Sequence, residues 1–182
     1  MGVQTHTAFF YGTLMAAEIL YRVCYGTSKV HEFPILQRAA SKLEIRPALL
    51  YNYCRHRVLE ADYPAIIPQQ GHTVRGTYVT GLTDDNIRKL DRFEGSQYSR
   101  QKVNVTILSD GQEKGEVVEA QTYIWSAGVD YLEKQEWDYE DFRKNKMHLW
   151  TDTSREFEDL DNAVLVELSD ETDEEEMLRA AA

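Results

Sequence analysis

Short apolar stretches alternate with polar turns along the first 150 residues, and their spacing predicts the elements of the fold. The β-branched and aromatic run Thr7–Tyr11 predicts a buried strand that ends at Gly12. Residues 15–24 carry apolar side chains at helical spacing and predict a helix or helical turn that ends at Gly26. Prolines interrupt residues 28–47, so we expect only loops and short strands there.

The middle of the chain predicts four extended segments followed by a helix. The extended segments are Ala48–Tyr53, His56–Glu60, Tyr63–Pro68 and Thr73–Leu82. Thr83 can cap the helix that follows, and the acidic pair after it suits the positive end of the helix dipole. Ile87, Leu90, Asp91 and Glu94 then share one face, and Gly95 is placed to end the helix.

The last part of the body predicts a hairpin and one more helix. Val103–Ile107 alternates with polar residues, Asp110 and Gly111 form a turn signal, and Val117–Trp125 returns as the partner strand. A helix begins near Trp137 with Asp138 as its cap, and Ala163–Leu168 could add a strand. Six to eight strands with two or three helices predict an α+β fold. So many short strands favour a small closed or nearly closed sheet, because closure removes exposed edges.

Negative charge is concentrated at the C-terminal end. The chain of 182 residues has a net charge of −11, and residues 156–182 hold 11 acidic side chains and one basic one, Arg179. We therefore divide it into a domain over residues 1–155 and an acidic tail over 156–182, which we expect to be partly disordered. The nearly neutral body has no basic stripe, so nucleic acid is not an expected partner.

The remaining composition predicts a cytoplasmic protein without a metal site. No apolar run reaches the ~18–20 residues that a membrane span needs, and no secretory signal precedes the body. Cys24 and Cys54 are expected to stay reduced. The five histidines lack the spacing of a metal site, so no metal is expected. Arg55, His56 and Arg57 are interpreted as an exposed strand end rather than an anion site. The sequence leaves the oligomeric state open.

The turn Tyr11-Gly12-Thr13-Leu14 is the first candidate for chemistry. Where a strand stops and a helical segment begins, successive backbone N–H groups lack internal partners and can bind a carboxylate or a developing oxyanion. A glycine at this place lets a ligand approach the backbone, because it has no Cβ. An ordinary strand-to-helix turn would have the same sequence, and both interpretations stay open here.

Glu94 is the second candidate. It lies at the C-terminal end of the predicted helix, where the helix dipole and partial burial both raise a carboxyl pKa. A raised pKa suits a proton shuttle near neutral pH. The alternative is a surface glutamate paired with Arg92 or Arg100, and these two arginines could instead attract a substrate carboxylate.

Three motifs together resemble the gamma-glutamylcyclotransferase-like family, and in particular its avirulence-induced-gene branch, which includes gamma-glutamylamine cyclotransferases. The motifs are FFYGTLM at 9–15, YPAI at 63–66 and LDRFEGSQYSR at 90–100. The resemblance covers about residues 7–150 and implies a mixed barrel with flanking helices. It implies that Glu94 is the acid/base and that the turn binds substrate through its backbone. The residues it places against substrate are Tyr11, Gly12, Thr13, Leu14, Tyr98 and Tyr123, with Tyr63 and Arg100 added as candidates.

The resemblance also implies a reaction. A γ-glutamyl amide contains its own nucleophile, the α-amine, and its own electrophile, the γ-carbonyl. Ring closure would release 5-oxoproline and an amine, which requires orientation and proton transfer but no cofactor. The partner is then a small γ-glutamyl molecule whose leaving amine the sequence does not identify. Two alternatives remain: a non-catalytic binding or interaction protein on the same barrel, and a related acyl-transfer or ring-closing enzyme of another metabolite.

Overall fold

Five strands close into a mixed barrel. The computed structural model describes residues 4–109 and 115–150. The strands are β1 (His6–Phe10), β2 (Glu44–Arg57), β3 (Pro64–Leu82), β4 (Tyr98–Ile107) and β5 (Val117–Trp125). They close in the order β1-β3-β2-β4-β5, and all neighbours are antiparallel except β1 and β5, which run parallel. The α+β class and the closed sheet are therefore confirmed.

Helices flank the barrel. The α-helices are α1 (Ala17–Tyr25), α2 (Pro34–Ala40), α3 (Asp84–Glu94) and α4 (Tyr139–Asp141); shorter helical turns are the 3-10 segments Thr13–Met15, Val30–Glu32, Val129–Tyr131 and Met147–Trp150 and the π segment Phe142–Lys146. Among the described residues, no helix has both the length and the apolar character that a membrane span requires.

The helix that carries Glu94 forms where its local signals predict it. The Thr83 side chain accepts a hydrogen bond from the Asn86 backbone N–H, and the Asn86 side chain accepts one from the Thr83 N–H. Gly95 follows the last residue at a φ of 76°, a conformation that favours glycine, and its N–H bonds to the Asp91 carbonyl. These two ends determine that Glu94 is the final residue of α3.

Two apolar cores hold this arrangement together. One fills the barrel interior and includes Phe9, Leu50 and Ile66. The other packs α1 and α3 onto the barrel through residues such as Ile19 and Leu90. Each fully buried side chain of this size contributes about 1.5–3 kcal/mol of transfer free energy. Ile87 and Leu90 of α3 belong to the same core as Phe10 of β1, so this core joins the helix that carries Glu94 to the strand that precedes the turn.

Several predicted boundaries were wrong. Residues 34–40 form a helix rather than loops and short strands, because Pro34 occupies the first helical position, where a missing N–H costs nothing. The two predicted strands before residue 60 are one strand, β2, and the two extended segments after it are also one strand, β3. A bulge at Asn52, with φ 64°, shifts the register between β2 and β3 without ending either strand. The described residues therefore contain five strands instead of six to eight.

The hairpin of β4 and β5 and the cap at Asp138 are confirmed, although the helix after Asp138 is short and continues as a π and then a 3-10 turn. The turn signal at Asp110 and Gly111, the segment Ala163–Leu168 and the acidic tail lie outside the described residues. The domain boundary at residue 155 stays a prediction.

Candidate active site

A cavity lies between the end of β1 and the end of α3. Its volume is about 180 Å³, which is room for roughly six water molecules or one small metabolite. The lining consists mainly of aromatic side chains together with the turn after β1 and a single carboxyl. Its residues are Phe9, Phe10, Tyr11, Gly12, Thr13, Leu14, Tyr63, Pro64, Phe93, Glu94, Tyr98, Tyr123 and Trp150. All but one of the predicted site residues thus meet in one cavity.

The turn after β1 presents backbone donors to this cavity. Strand β1 ends at Phe10, and the next hydrogen bonds of the turn run from the Met15 N–H to the Gly12 carbonyl and from the Ala16 N–H to the Thr13 carbonyl. Within the part of the chain that the structure describes, the N–H groups of residues 12–14 have no hydrogen-bond acceptor. The predicted set of unpartnered donors is therefore present.

Position 12 requires glycine for a different reason from the one that the sequence suggested. A Cβ at this position would lie 2.8 Å from both Cδ and Cγ of Pro64, which is closer than carbon atoms approach in folded proteins. The glycine therefore makes room for the proline ring, and not for a ligand on that side. Pro64 in turn accepts a hydrogen bond at its carbonyl from the Tyr98 hydroxyl, at 2.9 Å. This packing joins the turn to the wall of the cavity.

Glu94 faces the cavity with its carboxyl enclosed by protein. The residue as a whole is of intermediate exposure because it lines the cavity. Burial of the carboxyl and, as the smaller cause, the nearby Asp91 carboxylate together raise the pKa of Glu94 to about 8. Arg100 forms its ion pair with Asp91 rather than with Glu94, and the Glu94 carboxyl is buried. The surface-glutamate alternative therefore does not hold.

Three tyrosines surround Glu94 with their hydroxyls held in place. The Tyr11 hydroxyl donates to the Tyr123 carbonyl at 2.6 Å, and the Tyr123 hydroxyl donates to the Asp91 carboxylate at 2.9 Å. Tyr98 is anchored on Pro64, as described above. Burial is the largest cause that raises the pKa of each of these hydroxyls well above its usual value. All three remain protonated at neutral pH, so Glu94 is the group in the described lining whose proton can move near pH 8.

Arg100 is the predicted site residue that does not line the cavity. Its Nε donates to Asp91 at 2.8 Å, and its guanidinium also contacts the Gln121 side chain. Asp91 thus lies between Arg100 on the outside and Tyr123 on the cavity wall. The structure places Arg100 behind the site, where it orients Asp91, rather than against a substrate.

One side of the cavity is an aromatic wall formed by Tyr63, Phe93 and Trp150, and Trp150 lies outside the three sequence motifs. The ring of Trp150 packs edge-on against Tyr63 and Phe93, with 6.1 Å between ring centroids in each pair. Phe93 precedes Glu94 in the chain and could have been suggested by that position. No local signal connects Trp150 to the site, because about 140 residues separate it from the turn. Asp91 had been placed on the helix face but not given a role.

Comparison with known proteins identifies the family. A family model described as "Gamma-glutamyl cyclotransferase, AIG2-like" matches residues 8–144. The chain belongs to this family. Its curated relatives from Arabidopsis thaliana include AIG2-like protein D, 28% identical over 155 residues that cover 85% of this chain and 90% of that protein. Protein AIG2 B is 35% identical over 111 residues, which is 61% of this chain and 63% of the relative.

Solved structures agree on the fold of this family member. A solution structure of an Arabidopsis thaliana protein has a TM-score of 0.54 at 25% identity and covers 79% of this chain and 84% of the other. The crystal structure of an AIG2-like protein from Mus musculus has a TM-score of 0.50 at 20% identity, over 84% of this chain and 98% of the other. The closed barrel with flanking helices is therefore a fold that this chain shares with these proteins. The family model that matches residues 8–144 supports a cyclotransferase-like function.

Proposed function

We propose that the protein cyclises a small γ-glutamyl amide, with Glu94 as the acid/base and no cofactor. The observation that supports this most directly is the shared cavity: one enclosed carboxyl of raised pKa faces the same space as the unpartnered N–H groups of residues 12–14. Such a pair supplies what intramolecular ring closure needs, namely a proton acceptor for the nucleophile and donors for a charged substrate oxygen.

The reaction balances without any enzyme nucleophile. The α-amine enters as an ammonium group, and the Glu94 carboxylate removes a proton from it. The amine nitrogen then attacks the γ-carbonyl carbon, so that a C–N bond forms and the carbonyl oxygen becomes negative. The protonated Glu94 delivers its proton to the leaving nitrogen as the old C–N bond breaks. The ring nitrogen still carries a second proton, which the regenerated Glu94 carboxylate takes and passes to the released amine. The products are 5-oxoproline and the amine in its ammonium form, and Glu94 returns to its starting state.

Binding in one cavity reduces the entropic cost of the ring closure. The reactive conformer must fold its α-amine back onto the γ-carbonyl, and holding it there contributes ~7 kcal/mol or more to lowering the barrier. The N–H groups of the turn can hold the oxygen end of the substrate. The aromatic wall of Tyr63, Phe93 and Trp150 offers an apolar surface to the leaving amine.

Release of 5-oxoproline tests the proposal. The protein is incubated with γ-glutamyl amides whose leaving groups are an alkyl amine, an aromatic amine, a lysine side chain, an amino acid and the cysteinyl-glycine part of glutathione, and the product is quantified by mass spectrometry. We expect stoichiometric 5-oxoproline and amine from at least one class. Binding of these compounds without product would instead support the non-catalytic alternative, and a different cyclic product would support the related-enzyme alternative.

The pH dependence of turnover should follow Glu94. Because the carboxyl must be ionised to take the ammonium proton, kcat/KM should fall about tenfold per pH unit below the Glu94 pKa of about 8. Asp91→Asn removes the neighbouring negative charge, so the Glu94 pKa should fall. The acidic limb of the pH profile of kcat/KM, where activity decreases as Glu94 is protonated, should then move to lower pH. Asp85→Asn changes a carboxylate in the first turn of the same helix, outside the cavity lining, and should leave the limb in place. A limb that does not move in Asp91→Asn contradicts this assignment.

A further inference from the structure

Arg55 reaches from strand β2 to the backbone of the turn. Its Nη1 donates to the Tyr11 carbonyl at 2.9 Å, although the two residues are 44 positions apart in the sequence. Only 12% of the Arg55 side chain is exposed, and its Nε is buried without a hydrogen-bond partner. A buried guanidinium that leaves one donor unused costs free energy. The predicted exposed strand end is therefore wrong for this residue.

The guanidinium is held by contacts on its other sides. The Nη2 of Arg55 forms an ion pair with the Glu136 carboxylate at 3.0 Å, and its Cζ lies 5.7 Å from the centre of the Trp137 ring. Nη1 also contacts the Arg75 carbonyl at 3.4 Å. Contacts with Arg75, Glu136 and Trp137 thus hold one planar, permanently charged group in place beside the Tyr11 carbonyl oxygen.

That contact determines which way the Tyr11–Gly12 peptide points. In a planar trans peptide the carbonyl and the following N–H point in opposite directions. The Tyr11 carbonyl points to Arg55, which does not line the cavity, so the Gly12 N–H points the other way; Gly12 itself lines the cavity and its N–H has no acceptor among the described residues. We propose that Arg55 is a positioning residue that aims the Gly12 N–H at a substrate oxygen.

The alternative orientation would invert the site. If the peptide turned over, the Tyr11 carbonyl oxygen would face the cavity and repel the substrate oxygen that the Gly12 N–H should bind. In water the two orientations of a peptide before glycine differ little, because glycine has no Cβ to restrict it. A buried cation on the carbonyl side removes that freedom. This role rests on the proposed function for its kinetic consequence, whereas the orientation of the peptide can be observed independently.

A crystal structure of the full-length Arg55→Ala protein tests the orientation directly. We expect the Tyr11–Gly12 peptide to be turned over or to occupy two orientations, whereas Arg55→Lys, which keeps one donor, should retain the original one. Arg46→Met on the same strand is the matched control, since Arg46 does not contact the turn, and it should leave the peptide unchanged. A peptide that keeps its single orientation in Arg55→Ala overturns the inference, whether or not the wild-type protein turns over substrate.

Kinetics then measure the consequence for turnover. We expect Arg55→Ala to lower kcat/KM about 10- to 100-fold, less than complete loss of an oxyanion donor costs, because the peptide can still visit the productive orientation. Arg55→Lys and millimolar guanidinium added to Arg55→Ala should each restore part of the activity, and the apparent pKa near 8 should not change. Full activity in folded Arg55→Ala, or loss without recovery by either route, contradicts the role. If the Tyr11–Gly12 peptide inverts in Arg55→Ala but the wild-type protein releases no 5-oxoproline, the proposed function fails. The role of Arg55 in orienting the peptide then still stands.

Discussion

Glu94→Gln should abolish cyclisation while the barrel stays folded. The amide has nearly the shape of the carboxyl but cannot take the ammonium proton, so we expect 5-oxoproline release to fall at least about 10³-fold, which corresponds to ~4 kcal/mol of lost transition-state stabilisation. Glu94→Asp keeps the acid and should retain a measurable rate. Glu119→Gln changes an exposed glutamate on β5 and should behave as wild type. A rate within tenfold of wild type in Glu94→Gln removes this residue from the mechanism.

Glu94→Gln, which should abolish activity, should increase the free energy of unfolding relative to wild type at neutral and higher pH. The Glu94 pKa is about 8 in the folded protein and near 4.5 in the unfolded chain, so between these values the folded state binds more protons. The wild-type free energy of unfolding must therefore decrease as the pH rises from about 5 to 8, because ionising an enclosed carboxyl is unfavourable. Glu94→Gln lacks this contribution. Urea unfolding at pH 5, 7 and 9 should show the variant gaining stability relative to wild type as the pH increases.

Gly12→Ala should also nearly eliminate activity, for a steric reason. The new methyl group would lie 2.8 Å from two carbons of the Pro64 ring, and a ring fixed in strand β3 cannot move aside as a flexible side chain would. The turn must shift instead, which misplaces the N–H donors of residues 12–14. We expect kcat/KM to fall about 10²- to 10³-fold and the free energy of unfolding to decrease by about 1–3 kcal/mol.

A second substitution separates this clash from other effects of the alanine. Pro64→Ala removes the two ring carbons that the new methyl group would meet. The double variant Gly12→Ala with Pro64→Ala should therefore be more stable than the sum of the two single effects predicts, and should recover part of the activity relative to Gly12→Ala. Strict additivity in a thermodynamic cycle of urea unfolding contradicts the steric explanation.

The two largest expected effects come from substitutions at Glu94 and Gly12, and local sequence signals revealed both positions. Glu94 was found because local signals specify its helix completely: a cap at Thr83, an apolar face and Gly95 after the last turn. The strand and turn around Gly12 were found for the same reason. The helix and the turn depend on hydrogen bonds between residues three or four positions apart, which can be inferred from spacing alone. Strand β1 pairs with β3 far along the chain, but its β-branched and aromatic residues are a local signal.

The errors have two sources: at Pro34 a local rule for helix starts was overlooked, and elsewhere long-range contacts override local preference. Pro34 was interpreted as interrupting regular structure, whereas the chain places it at the start of α2. Asn52 and Gly71 are residue types typical of turns, yet neither ends its strand. The register shifts between Tyr51 and Tyr53, after which β2 and β3 pair again, because thirteen residue pairs across the two strands outweigh the local irregularity. Arg100 became a candidate because its charge could attract a substrate carboxylate, but charge says nothing about side-chain direction, which is decided by the ion pair with Asp91.

By itself the sequence determined the family motifs, the α+β class, the helix that ends in Glu94 and the strand that ends before Gly12. Only the tertiary structure decided that these two ends share one cavity, that Trp150 contributes to its wall, that Pro64 occupies the space above Gly12 and that Arg55 binds the Tyr11 carbonyl. The physical reason is the range of the interactions. Caps and periodicity act within one or two turns of chain, whereas burial, the raised carboxyl pKa and the direction of a peptide depend on groups brought together by closure of the barrel.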